Sequence, residues 1–151
     1  MDENDSGRIY TIGHSNRTLG EFLEVLKYYG IEALADVRSY PVSRKNPHFD
    51  RENLEKALGQ ASIDYRWMKG LGGMRKIPYV DYMKTAQFKE ALGELTRLAR
   101  MKRTAFMCAE LRWRDCHRCF ISGRLSSLGR EIVHIYDAGE SEIHSSLEGI
   151  G

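Results

Sequence analysis

The feature that most constrains this chain is an alternation of short apolar runs with stretches of helical periodicity. Arg8–Gly13 reads as a strand ending in glycine. Thr18 and Glu21 then form a capping box, and Phe22, Val25, Leu26 and Tyr29 recur at helical spacing until Gly30 stops the helix. Ile31–Val37 reads as a second strand. Asp50 is the expected N-cap of the next helix, with Phe49 and Leu54 spaced as a hydrophobic staple. That helix ends near Gly59, and Ile63–Trp67 is a short third strand. A glycine-bearing loop, Lys69–Pro78, precedes a helix expected from Thr85 to Arg100, with Phe88, Leu92, Leu95 and Ala99 on one face. Thr104–Cys108 and Glu131–Tyr136 read as the fourth and fifth strands. Between them a helix starts near Asp115, turns Ile121, Leu125 and Leu128 inward and stops at Gly129.

The order βαβαβαβαβ, with crossovers long enough for helices, predicts an α/β fold. It is a single-domain, three-layer arrangement: a mostly parallel five-stranded sheet with helices on both faces. The domain is expected to span residues 8–136, after a flexible acidic N-terminus (1–7) and before a loose acidic C-terminal tail (137–151). No apolar run approaches the ~18 residues a membrane span needs, and no secretory leader is expected. The three cysteines cluster within Cys108–Cys119, an odd number that fits a reducing cytoplasm better than a disulfide framework.

The charge is unevenly placed. Lys and Arg number 23 against 21 Asp and Glu, a formal +2. Asp2, Glu3, Asp5, Asp137, Glu140, Glu142 and Glu148 crowd the two ends, so residues 6–136 carry 23 bases against 14 acids. A basic body between acidic ends points to an anionic partner, and no basic amphipathic helix points to a membrane.

In open α/β sheets, ligands bind outside the carboxyl ends of the strands. There the sequence places Gly13-His14-Ser15, Asp36-Val37-Arg38, Cys108-Ala109-Glu110 and Cys116-His117-Arg118, with Ser43-Arg44 in an intervening loop. Arg38 and Arg44 flank Pro41 and present planar forks suited to phosphate oxygens. Arg118 falls in the first turn of a helix, where a cation is locally unfavourable. Its presence there calls for a bound anion or a nearby acid, with Glu110 and Asp115 as candidates. Asp36 either pairs with Arg38 or takes part in catalysis. His134, inside an apolar run, reads as a satisfied core histidine.

These segments, with Thr11-Ile12-Gly13-His14-Ser15 at the start, Leu71-Gly72-Gly73 in the middle and His134-Ile135 at the end, resemble the family called Domain of Unknown Function 488. The resemblance covers about residues 8–136 in five ordered motifs. It implies a compact α/β domain and marks these positions as its signature, without implying a reaction.

The cysteines allow three readings. Cys108, Cys116, His117 and Cys119 lack the paired spacing of a structural zinc site, and neither a metal nor a cofactor is expected. Cys116-x-x-Cys119 opens a helix, yet the rest of a thioredoxin pattern is missing, and Cys119 is expected to pack inward. Cys108-x5-Arg114 has the spacing of a cysteine phosphatase loop, and Asp36-Val37-Arg38 faintly echoes rhodanese sulfurtransferases. Glu110 inside that loop would repel the anion it should cradle.

The functional expectation is an enzyme on a phosphate-bearing small molecule or nucleic acid. Ser15, Arg38, Ser43, Arg44 and Arg118 would bind phosphate. His14, Asp36, Glu110 and His117 would supply acid–base chemistry, and Cys108 or Cys116 the nucleophile. The alternatives are a sulfurtransferase- or phosphatase-like enzyme using Cys108, and a non-catalytic nucleic-acid binder stacking bases on Trp67, Tyr79, Tyr82 and Trp113.

Overall fold

A computed structural model describes residues 7–73 and 75–145. The expected acidic N-terminus, apart from Gly7, and residues 146–151 of the expected tail lie outside the described residues.

The chain runs β1 (Arg8–Gly13), α1 (Leu19–Tyr28), β2 (Ala33–Asp36), α2 (Arg51–Gln60), β3 (Asp64–Trp67), α3 (Tyr79–Tyr82), α4 (Ala86–Met101), β4 (Thr104–Cys108), α5 (Arg118–Ser127), β5 (Glu131–Asp137) and β6 (Glu140–Ile143). Short 3-10 turns at Pro47–Phe49, Lys69–Leu71 and Trp113–Asp115 shape the loops. The capping box at Thr18 and Glu21 forms, and Thr85 caps α4. Asp50 does not cap α2 with its side chain. Its Oδ1 instead accepts the backbone N–H of Ser43 at 2.6 Å, so the side chain is taken up by the incoming loop.

The sheet has strand order β3-β2-β4-β1-β5-β6. β1 to β5 pair in parallel, and β6 returns antiparallel to β5. The expected five-stranded sheet is therefore six-stranded. β6 carries little signal in the sequence because Glu140–Ile143 is an exposed, polar edge. Gly139, at φ 78°, supplies the left-handed residue that the tight reversal requires.

Two cores flank the sheet. Phe22, Val25 and Leu26 of α1, with Leu54 and Leu58 of α2, pack with Tyr10, Ile12, Leu34 and Met107 on one face. Leu92 and Leu95 of α4, with Ile121 and Leu125 of α5, pack with Ile9, Ala33, Ala35 and Phe106 on the other. Neighbours in the strands thus point to opposite cores, as a pleat with two buried faces demands. The chain leaves β1 towards β2 on one side and leaves β4 towards β5 on the other. The crevice between their carboxyl ends is where a ligand belongs in this topology.

That crevice begins at Gly13, which pairs in register with Cys108. His14 N–H and Ser15 N–H continue the ladder onto Cys108 O and Ala109 O, both at 2.9 Å. The close approach leaves no room for a side chain: a Cβ on Gly13 would lie 1.6 Å from Glu110 O. Gly13→Ala should therefore destabilise the fold by at least about 3 kcal/mol, since the obstruction is backbone rather than a flexible side chain. Urea denaturation measures it, and an unchanged midpoint would show that the loop after β4 can move aside.

Candidate active site

The floor of the site is a buried polar brace. Asp36, at the end of β2, is fully buried, and Arg38 is 5% exposed. Arg38 Nε and Nη2 donate to the two Asp36 oxygens at 2.9 and 2.7 Å, and the Arg38 backbone N–H adds a third bond at 3.1 Å. Tyr65 Oη donates to Asp36 Oδ2 at 2.5 Å, and Arg38 Nη2 also reaches Phe49 O. Burial first, then the Asp36 carboxylate, push the Tyr65 phenol upward, so it stays a donor. Breaking such a pair from one side would leave an uncompensated charge, a loss of about 3–5 kcal/mol.

His14 closes this brace. Its Nδ1 faces Ser15 O at 2.8 Å, so Nδ1 carries the hydrogen, and Nε2 accepts from Arg38 Nη1 at 3.4 Å. The ring stacks on Phe49, with centroids 4.4 Å apart. Burial lowers its pKa to about 4, so His14 is a neutral acceptor at pH 7.

Above the brace lies a cleft of about 410 Å³, walled by Arg38, Tyr40, Val42, Gly73, Glu110, Asp115 and His117, with Cys108 and Cys116 at its base. Cys116 lies just ahead of α5. Its Sγ is 2.6 Å from Cys108 Sγ, 3.2 Å from the Arg118 backbone N–H and 3.9 Å from His117 Nδ1. His117 Nε2 donates to Val37 O at 2.7 Å, so any second ring proton sits on Nδ1, facing Cys116. The hydrogen bond from Cys108 lowers the Cys116 pKa most. Burial opposes it, and His117 and Arg118 lower it further. The Cys108 thiol moves the other way, raised chiefly by burial and then by its neighbour. The two sulfurs are coupled: their pKa values are pushed apart, Cys116 down and Cys108 up.

Arg118 lies beneath both. It is fully buried, donating to Thr11 Oγ1 at 3.0 Å, Glu110 O at 2.7 Å and Leu111 O at 3.1 Å, while Nε has no partner among the described residues. The nearby acid expected for it is absent from this set: Glu110 offers its backbone rather than its exposed carboxylate.

The structure therefore brings Arg38, Cys108, Glu110, Cys116 and His117 to one cleft and sets Asp36, His14 and Arg118 behind it. Ser15, at φ 52°, faces a separate hollow beside Arg17. Ser43 Oγ accepts the Asn46 N–H, and Arg44 is exposed. Arg114 stacks over Trp113 and reaches Glu142 at 3.9 Å. Cys119, expected inward, is half-buried. His134 is a core histidine, bonded to Thr11 and His144 and stacked on Trp113 with ring centroids 4.3 Å apart. Sequence reasoning misses Tyr65 because only tertiary pairing takes it to Asp36. The Gly72-Gly73 pair does carry a signal: each makes room for a neighbour, Ser39 and His117 respectively.

Cys108, Glu110 and Cys116 present ligand atoms within 4.8 Å of one another. Tetrahedral sulfurs at ~2.3 Å from zinc lie about 3.8 Å apart, so a 2.6 Å sulfur pair is too close to bind one ion without spreading. No described helix is long and apolar enough to cross a membrane.

Residues 18–125 match the family model described as Domain of unknown function DUF488, and the chain belongs to that family. No curated protein and no solved structure matches it.

Burial lowers the pKa of both His14 and His134. The unfolded chain binds protons near pH 6.5 that the folded chain refuses, so stability present above pH 6.5 is lost as pH falls towards the folded values. Urea midpoints taken from pH 6.5 to 4.5 should fall, and His134→Gln should reduce the slope by up to about 1.4 kcal/mol per pH unit. An unaltered slope in that variant would mean His134 is protonated in the folded protein.

Proposed function

We propose that this protein is a cysteine-dependent enzyme whose nucleophile is the Cys116 thiolate. The carrying observation is the convergence of three polar groups on Cys116 Sγ: the Arg118 backbone N–H, which donates to it, the His117 ring and the Cys108 sulfur. A thiolate is the reactive form of cysteine, and helix N-termini and imidazolium ions are what sustain it. His117, fixed through Val37 O, keeps Nδ1 beside the sulfur. From there the ring can relay a proton between the sulfur and a leaving group. Cys108, 1% exposed with a raised pKa, is poorly placed to attack a substrate first.

A phosphate-bearing substrate is the second reading, and one observation favours it. Arg38 lines the cleft, and its Nη1 meets His14 only at a long 3.4 Å, leaving N–H capacity for an incoming oxygen. Millimolar inorganic phosphate or nucleotide should then slow modification of Cys116. Unchanged modification rates across a nucleotide panel would remove this reading while leaving the nucleophile intact.

The nucleophile is tested by iodoacetamide with peptide mapping. Cys116 should react at pH 6 within about twofold of its rate at pH 8, whereas an ordinary thiol with pKa ~8.5 slows roughly seventyfold over that interval. An ordinary-thiol profile at Cys116 would sink the proposal.

A further inference from the structure

We propose that Cys108 and Cys116 form a working dithiol–disulfide couple, and that the atom Cys116 attacks is a sulfur of a disulfide-bonded substrate. This rests on Cys116 as nucleophile and adds its resolving thiol and the bond that reacts.

Position comes first. Cys108 closes β4 and is buried, while Cys116 precedes α5, eight residues on, and half-faces the cleft. The loop between them folds back so that the sulfurs stand 2.6 Å apart. A thiol of this kind contributes little to acyl or phosphoryl transfer, where a base or an oxyanion donor is needed beside the nucleophile. What a buried neighbouring sulfur can do is attack Cys116 once Cys116 carries a substrate sulfur. The Cys116-x-x-Cys119 spacing is not the pair that meets: Cys119 lies within α5, and its bond to Cys116 runs from its backbone N–H to the Cys116 carbonyl.

Electrostatics set the order of events. Cys116, ionised and reachable, attacks one sulfur of R–S–S–R′. A Cys116–sulfur bond forms, the substrate S–S bond breaks, and R′S⁻ leaves, taking up the proton that Cys116 gave up, relayed through the His117 ring. Capping Cys116 removes the negative charge that disfavours ionisation of Cys108, while the buried Arg118 guanidinium continues to favour it. Cys108 then attacks Cys116 Sγ, its proton passes to the departing RS⁻, and a Cys108–Cys116 disulfide remains. The substrate gains two electrons and two protons, and the dithiol loses them. An external dithiol reductant restores the pair by the same exchange run in reverse.

The test uses the full chain carrying Cys119→Ser, treated with the aryl disulfide dithiobis(nitrobenzoate). It should release about two equivalents of aryl thiolate, retain no adduct and become about two mass units lighter. Cys108→Ser and Cys108→Ala in that background should each release about one equivalent and keep the aryl group on Cys116. With excess dithiothreitol, catalytic amounts of the protein should accelerate reduction of hydroxyethyl disulfide about tenfold or more over background, and both Cys108 variants should lose this. One equivalent with a stable adduct when Cys108 is present would overturn the couple yet leave Cys116 as nucleophile. Two equivalents without any acceleration would overturn the substrate class. Failure of Cys116 to react at all would overturn the parent reading instead.

Discussion

A guanidinium buried with only neutral acceptors is costly to desolvate, and Arg118 is such a group. Two carbonyls and a hydroxyl hold it, and they belong to different parts of the chain: Thr11 on β1, Glu110 and Leu111 on the loop after β4. Arg118 therefore fastens β1, the loop and the start of α5 to one another. It also leaves an unbalanced positive charge beneath the crevice. The Cys116 sulfur lies beside it, bonded to the Arg118 backbone N–H. The bonds that fix the loop also place a positive charge that favours ionisation of the neighbouring sulfur.

The Asp36–Arg38–Tyr65 brace has a different character. Its charges are matched and its oxygens are satisfied, so it contributes rigidity rather than field. Through the backbone it sets the neighbouring wall: Trp67 Nε1 bonds Arg38 O, and Val37, between the paired residues, offers its carbonyl to His117. The tautomer that faces Cys116 is thus fixed by a strand end on another part of the sheet.

Much of the frame is legible in the residues. Strand and helix periods place β1, α1, α4 and β4 within a residue or two, and the strand-end rule by itself gathers Arg38, Cys108, Glu110, Cys116 and His117. Side-chain direction is less legible. The rule says which residues reach the edge, but not whether a side chain there faces outward, so Arg118 looks like a phosphate-binding group in sequence and turns into the core in three dimensions, while Asp36 takes the pairing with Arg38 rather than the catalytic role the sequence also allows. The sulfur pair is hidden for a related reason. Cys116-x-x-Cys119 has a familiar local spacing, whereas Cys108 and Cys116 meet only because a 3-10 turn at Trp113–Asp115 reverses the loop. β6 is invisible because an exposed edge needs no apolar residues.

That edge strand reaches further than its size implies. Glu142 accepts from Trp113 Nε1 and Tyr136 Oη and pairs with Arg114, and His144 bonds His134, against which Trp113 is stacked. β6 is therefore a strap over the loop that carries Cys116. It also lies beyond residue 125, where the match to the family ends. Substitutions at Glu142 or His144 would therefore reach the Cys116 loop from outside the span that the family model matches.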